Sequence, residues 1–268
     1  MKRLILAMLG LWLAVGPAAA AVPAKQHETG FLDRSVYVHG VEYRYQVYVP
    51  RDFDPKRRWP VVLTLHGGGE YGSDGMGITA GALGQTIRRH PEQMPAIVVF
   101  AQAHADGTPG WQGQGGEAAL KAVDSSVAEF HGDPSRVYLT GFSAGGNGAW
   151  FLAYHHPKRF AAMIVASGFV SDFTGVTSHL FYPAIVGMGG DRYDSVARNL
   201  KGLPIWIVHG DADMNVSVEE SRHMAAALKA LNADVRYTEI AGADHLGGGQ
   251  RAFSDPAIAA WLLAQRRR

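Results

Sequence analysis

The sequence predicts an α/β fold with a mostly parallel central sheet, helices on both faces and an N-terminal β-hairpin. Two observations carry the sheet. Five short, unbroken apolar runs suit strands buried on both faces, and helical patterns lie between several of them. The hairpin rests on a third. Residues 34–39 and 41–49 alternate between apolar and polar around His39-Gly40, which suits a tight turn.

Residues 1–21 are expected to lie outside the fold. Met1-Lys2-Arg3 is a basic start, Leu4 to Val15 is an uncharged apolar run, and Ala18-Ala19-Ala20-Ala21 follows Pro17. This is the pattern of a secretory signal peptide. The rival, an uncleaved membrane anchor, is disfavoured because Gly16-Pro17 ends the strong hydrophobicity too early for a span. Export to the periplasm or beyond the cell is therefore expected, with no stable membrane insertion after cleavage. Loss of Lys2 and Arg3 leaves 23 basic against 24 acidic residues, so no basic stripe remains to hold nucleic acid.

Residues 22–268 read as a single domain. Hydrophobic residues make up 47 % of the 268, which supplies a sizeable core and excludes disorder. The absence of cysteine excludes a disulfide scaffold, thiolate metal sites and a Cys nucleophile. The apolar runs are Pro60–Leu65, Ala96–Ala101, Arg136–Thr140, Ala161–Ala166 and Pro204–Val208. Leu120, Val123, Val127 and Phe130 share one helical face. Trp150, Phe151, Ala153 and Tyr154 belong to a helix ended by His155-His156-Pro157. Ser217-Val218-Glu219-Glu220 has the form of a capping box opening another helix. A strand at Val235–Ile240 and a helix at Pro256–Gln265 close the chain.

Four motifs stand at strand ends. Gly141-Phe142-Ser143-Ala144-Gly145 is a G-x-S-x-G match. In a chain with 33 glycines the bare pattern is weak. Its place between a strand and an apolar helix is what the strained turn of a nucleophilic serine demands. His66-Gly67-Gly68-Gly69-Glu70 follows another strand, where amides of Gly68 or Gly69 could join that of Ala144 around a developing oxyanion. The competing nucleotide fingerprint, Gly67-x-Gly69-x-x-Gly72, lacks both an immediate helix and an acid ending the next strand. His209-Gly210-Asp211-Ala212-Asp213 offers a carboxylate, with Asp211 read as an ordinary loop residue. His245 follows the late strand 235–240, and the order Ser143, Asp213, His245 suits a triad on this fold.

These residues resemble the α/β-hydrolase superfamily. Within it they resemble the secreted carboxylesterase/phospholipase-like group labelled predicted peptidases, related to polyester-depolymerase and feruloyl-esterase-type enzymes. The likeness runs through Gly30-Phe31-Leu32-Asp33-Arg34, Tyr43–Pro50, His66–Gly75, Asp133–Gly141, His209–Asp213 and Trp261-Leu262-Leu263-Ala264. It implies Ser143 as nucleophile, His245 as base and, from the loop form H-G-x-x-D, Asp213 as acid. Asp172 is the reserve acid. The chain departs from the group at Ser217, at Leu246-Gly247-Gly248-Gly249, where the glycines are expected to widen the pocket, and over Thr174–Asn199, the only stretch able to build a cover.

The expected function is an exported serine hydrolase cleaving small or polymeric carboxylic esters with small or medium acyl groups, through an acyl-enzyme and without metal or organic cofactor. A serine peptidase on the same scaffold and a non-catalytic binding domain are the alternatives. Trp111, in the loop after the strand Ala96–Ala101, is a candidate for lining the substrate pocket.

Overall fold

The computed structural model describes residues 27–104, 110–174, 181–186 and 191–267. The signal-peptide expectation for residues 1–21 lies outside them. The hairpin forms as expected, but begins earlier: β1 (Gly30–Val38) pairs antiparallel with β2 (Val41–Val49), Val38 opposite Val41. His39 and Gly40 both take positive φ (48° and 82°), as a two-residue hairpin turn matching the strand twist requires. Alternation in β2 buries Tyr43, Tyr45, Val47 and Val49.

The chain continues through β3 (Trp59–Leu65), α1 (Ala82–Arg89), β4 (Ile97–Ala101), α2 (Gln114–Glu129), β5 (Gly132–Phe142), α3 (Ala144–His155) and β6 (Met163–Ala166). A two-residue ladder joins β7 (Phe173–Thr174) to β8 (Phe181–Tyr182). Then come α4 (Arg192–Leu200), β9 (Ile205–Gly210), α5 (Val218–Ala230), β10 (Val235–Ile240), α6 (His245–Ser254) and α7 (Pro256–Ala264). All residues of β3, β4 and β6 are buried, which is why they read as unbroken apolar runs rather than alternating ones.

Eight strands form one sheet in the order β1-β2-β4-β3-β5-β6-β9-β10, and the six from β4 to β10 run parallel. Side chains alternate between two cores. Val61, Leu63 and Leu65 face one with α2, α3, α4 and α5, while Val62 faces the other with α1, α6 and α7. Because β4 lies on one side of β3 and β5 on the other, the chain reverses its direction of travel at β3. The crevice outside the carboxyl ends of β3 and β5 is the topological switch point where open α/β sheets bind ligands.

α6 was not expected from the sequence. Each helix-interior glycine costs about 1 kcal/mol against alanine, so Gly247-Gly248-Gly249 disfavour a helix here. The Asp244 side chain caps the helix by accepting from Gly247 N (2.8 Å), and close packing offsets the rest. A Cβ on Gly248 would stand 2.6 Å from Ser167 Oγ, and one on Gly249 would stand 2.7 Å from Phe142. Gly248 and Gly249 therefore let α6 lie against the sheet, a packing role that stands beside the pocket widening expected of them. The capping box is half made. Ser217 Oγ accepts from Glu219 N, but Glu220 turns away to accept from Val170 N (2.9 Å) and Ser171 N (3.3 Å).

Candidate active site

Ser143 sits between β5 and α3 at φ 56° and ψ −119°, a conformation an L-residue holds only when its surroundings enforce it. The surroundings are backbone. A Cβ on Gly141 would collide with the Gly145 carbonyl, and one on Gly145 with the carbonyls of Leu65 and His66. One on Gly146 would stand 2.7 Å from Gly168 Cα. Ser143 N donates to Ala166 O (3.0 Å), which pins the turn to β6.

His245 is the first residue of α6. Its Nε2 lies 2.9 Å from Ser143 Oγ and its Nδ1 lies 2.7 Å from Asp213 Oδ2. With Ser143 Oγ–H donating to Nε2, the ring proton sits on Nδ1 and donates to Asp213. Asp213 follows β9, and its side chain is fully buried. Oδ1 accepts from Asn215 N (2.8 Å) and Val216 N (2.9 Å). Oδ2 accepts from His245 and from a second imidazole, His209 Nε2 at 3.1 Å. Burial pushes this carboxyl up, but the hydrogen bonds from His209, His245 and Val216 outweigh it and hold the group well below the usual carboxylate range.

His209 is a residue the sequence reading missed. It lies in β9, fully buried, and its Nε2–H is shared between Asp213 Oδ2 and Val216 O (3.1 Å). Its Nδ1 then accepts from Ser221 Oγ (2.7 Å) on α5. The signal was the histidine opening H-G-x-x-D. Asp211 takes the loop role expected of it, accepting from Gly242 N (2.6 Å) and tying the acid loop to the histidine loop. Asp172, the reserve acid, is excluded by position. It pairs with Arg192 (2.7 Å) at the surface and makes no contact with His245.

Ser143, His245, Gly68, Gly69 and Ala144 line one cavity of about 300 Å³, with Phe169, Phe173 and Tyr182 as an aromatic wall. The wall brings one described residue of Thr174–Asn199, Tyr182, to the site, while residues 175–180 and 187–190 lie outside the description. The glycine loop is braced by His66. Its Nδ1–H donates to Gly67 O (2.7 Å), and its Nε2 accepts from Ala103 N (3.1 Å). Acceptance at Nε2 requires the neutral ring, and burial pushes its pKa down to about 4. Trp111 is a correction. It is buried, its Nε1 donates to His66 O (3.1 Å), and it fills the space left by Gly148 on α3. It packs behind the glycine loop and does not line the cavity, because the small α3 glycine draws the ring inward.

The model of the prolyl oligopeptidase family matches residues 103–264, which hold Ser143, Asp213 and His245. The chain belongs to that family. Like other α/β-hydrolases, this prolyl oligopeptidase family member is similar to a thermostable esterase of known structure. The TM-score is 0.72 and the identity 28 %, over 88 % of this chain and 63 % of that one. The family member is also 27 % identical over 202 residues to dipeptidyl-peptidase 5 of Porphyromonas gingivalis, which covers 65 % of this chain and 28 % of the peptidase. A secreted protein of Arthroderma benhamiae is 24 % identical over 219 residues, 72 % of this chain and 22 % of its own length. The chain thus spans about a quarter of the curated relatives it matches.

Proposed function

We propose that the protein is a serine hydrolase that cleaves carboxylic esters through an acyl-enzyme. The observation that carries this reading is the unbroken hydrogen-bonded chain Ser143–His245–Asp213 opening on a cavity. As Ser143 Oγ bonds the acyl carbon, its proton passes to His245 Nε2, and Asp213 stabilises the imidazolium. The amides of Ala144 and of Gly68 or Gly69 are assigned to the oxyanion. His245 then returns the proton to the leaving alkoxide. Water attacks the acyl-enzyme, its proton goes to His245, and Ser143 is regenerated.

A cavity of about 300 Å³ stands at the small end of the range for ligand pockets, roughly 300–1,000 Å³, and supports small or medium acyl groups. A peptidase is the second reading, favoured by the family and by the relative named dipeptidyl-peptidase 5. Export rests on residues 1–21 and on a relative named as secreted. The test is a hydrolysis panel of p-nitrophenyl esters of graded chain length, feruloyl esters, polyester film and peptides. Short-ester hydrolysis lost in Ser143→Ala, with a fluorophosphonate adding only to Ser143 in the wild type, is expected. Activity surviving in Ser143→Ala overturns the assignment, and peptide cleavage exceeding ester hydrolysis selects the second reading.

A further inference from the structure

A second cavity, of about 290 Å³, lies beside the catalytic one between α1 and α6, over the carboxyl ends of β3 and β4. Ile78, Leu83, Phe100 and Phe253 make much of it apolar. The two cavities share Gly67, Glu70, Phe142 and Leu246. The partition between them is half fixed and half free. Phe142 is held against His245 (4.8 Å between rings) and against Gly249, whereas Leu246 is 69 % exposed.

Glu70 is the one acidic side chain lining either cavity, and no Lys or Arg among the described residues lines them. Its carboxylate lies over Gly67 and beside Gly81, since a Cβ at those positions would meet its oxygens at 3.4 and 3.7 Å. Gly81, which precedes α1, has no side chain to cap the helix, and among the described residues no side-chain hydrogen bond or ion pair ties the Glu70 carboxylate to α1. Burial pushes its carboxyl up against the pull of the Glu70 and Gly67 amides. A half-buried carboxylate without an ion pair is poorly compensated, and a ligand cation placed beside it would recover that cost.

We infer that the second cavity is a substrate subsite for an apolar arm bearing a cationic amine, which Glu70 receives where the arm passes Leu246. The inference rests on the assignment of Ser143 as nucleophile only for calling the ligand a substrate. Continuity with the catalytic cavity argues for one substrate spanning both. The lone negative charge sets the sign of the arm.

The experiment measures binding of 4-phenylbutylammonium, 4-phenylbutanol and 4-phenylbutyrate to the full chain by calorimetry and as competitive inhibition of acetyl-ester hydrolysis. The ammonium should bind about tenfold more tightly than the alcohol, and the carboxylate most weakly, as the added strength of a charge-assisted hydrogen bond implies. Glu70→Gln should bring ammonium and alcohol together. Ala82→Trp and Gln250→Trp, at a half-buried and an exposed position of the second cavity's lining, should weaken all three by filling it, with thermal melting showing that each variant folds. Equal binding of the three by the wild type, an ammonium preference that survives Glu70→Gln, or tryptophan variants that bind as the wild type does would each overturn the inference. Glu70-dependent binding in a protein whose Ser143 resists fluorophosphonate would leave the site standing and remove the hydrolase reading instead.

Discussion

Replacing His209 with leucine removes one of four donors to the Asp213 carboxylate while leaving the other three in place. A hydrogen bond to a charged group contributes about 1.5–3 kcal/mol, and each ~1.4 kcal/mol is tenfold in rate. If the whole of that support is felt when the His245 imidazolium forms, kcat should fall roughly 10- to 150-fold. KM should change little, because His209 does not line the cavity. Leucine also strands Ser221 Oγ and Val216 O, so some loss of thermal stability is expected. The assay is steady-state hydrolysis of a short p-nitrophenyl ester, with the rate of fluorophosphonate addition to Ser143 measured in parallel. Both should slow together in fully folded protein. A kcat within about twofold of the wild type would refute the idea that His209 positions the acid.

Asp213→Asn should lower turnover by ~10⁴-fold, the effect of losing the orienting carboxylate in a protease triad, whereas Asp211→Asn and Asp172→Asn should change it by less than about tenfold. A damaging Asp172→Asn would contradict the geometry. Ser143→Gly should raise the melting temperature by about 2–4 °C, since glycine tolerates φ 56° and relief of backbone strain is worth ~1 kcal/mol; a fall would show that the turn is unstrained. His66 has a folded pKa near 4, below the ordinary 6.5, so the unfolded chain takes the proton first. Its contribution is fully present above pH 6.5 and is lost as pH falls towards 4, amounting to about 3 kcal/mol in all. Urea unfolding across that window should be flatter in His66→Gln, and equal slopes would disprove the linkage.

What could be read from sequence depended on whether a signal was local. The strands of the parallel sheet announced themselves by continuous burial, and Val235–Ile240 was legible to the residue. That Ser143, Asp213 and His245 come together was legible from their places at strand ends in that order. Trp111 was not. An aromatic residue in a loop reads the same whether it faces ligand or core, and its partner Gly148 is 37 residues away. α6 was hidden by its glycines, whose low propensity is outweighed by contacts with β9 and Phe142 that appear only on folding. His209 was hidden in a buried strand, where a histidine looks like a satisfied core residue until Ser221 and Asp213 close on its two nitrogens.

The crowding of backbone around Ser143 has a consequence for how this protein can be altered by selection. At Gly141 and Gly145 the obstacle to a side chain is carbonyl oxygen, which cannot swing aside as a side chain would. Libraries at those positions should fail as a cliff, with alanine as damaging as tryptophan. The aromatic wall is built differently. Phe173 and Tyr182 come from a two-residue ladder outside the eight-stranded sheet, so replacing them need not disturb the strands that carry Ser143, Asp213 and His245. Substitutions can therefore accumulate at 173 and 182 by gradual steps, while the eight-stranded sheet and the Ser143–His245–Asp213 chain are inherited unchanged.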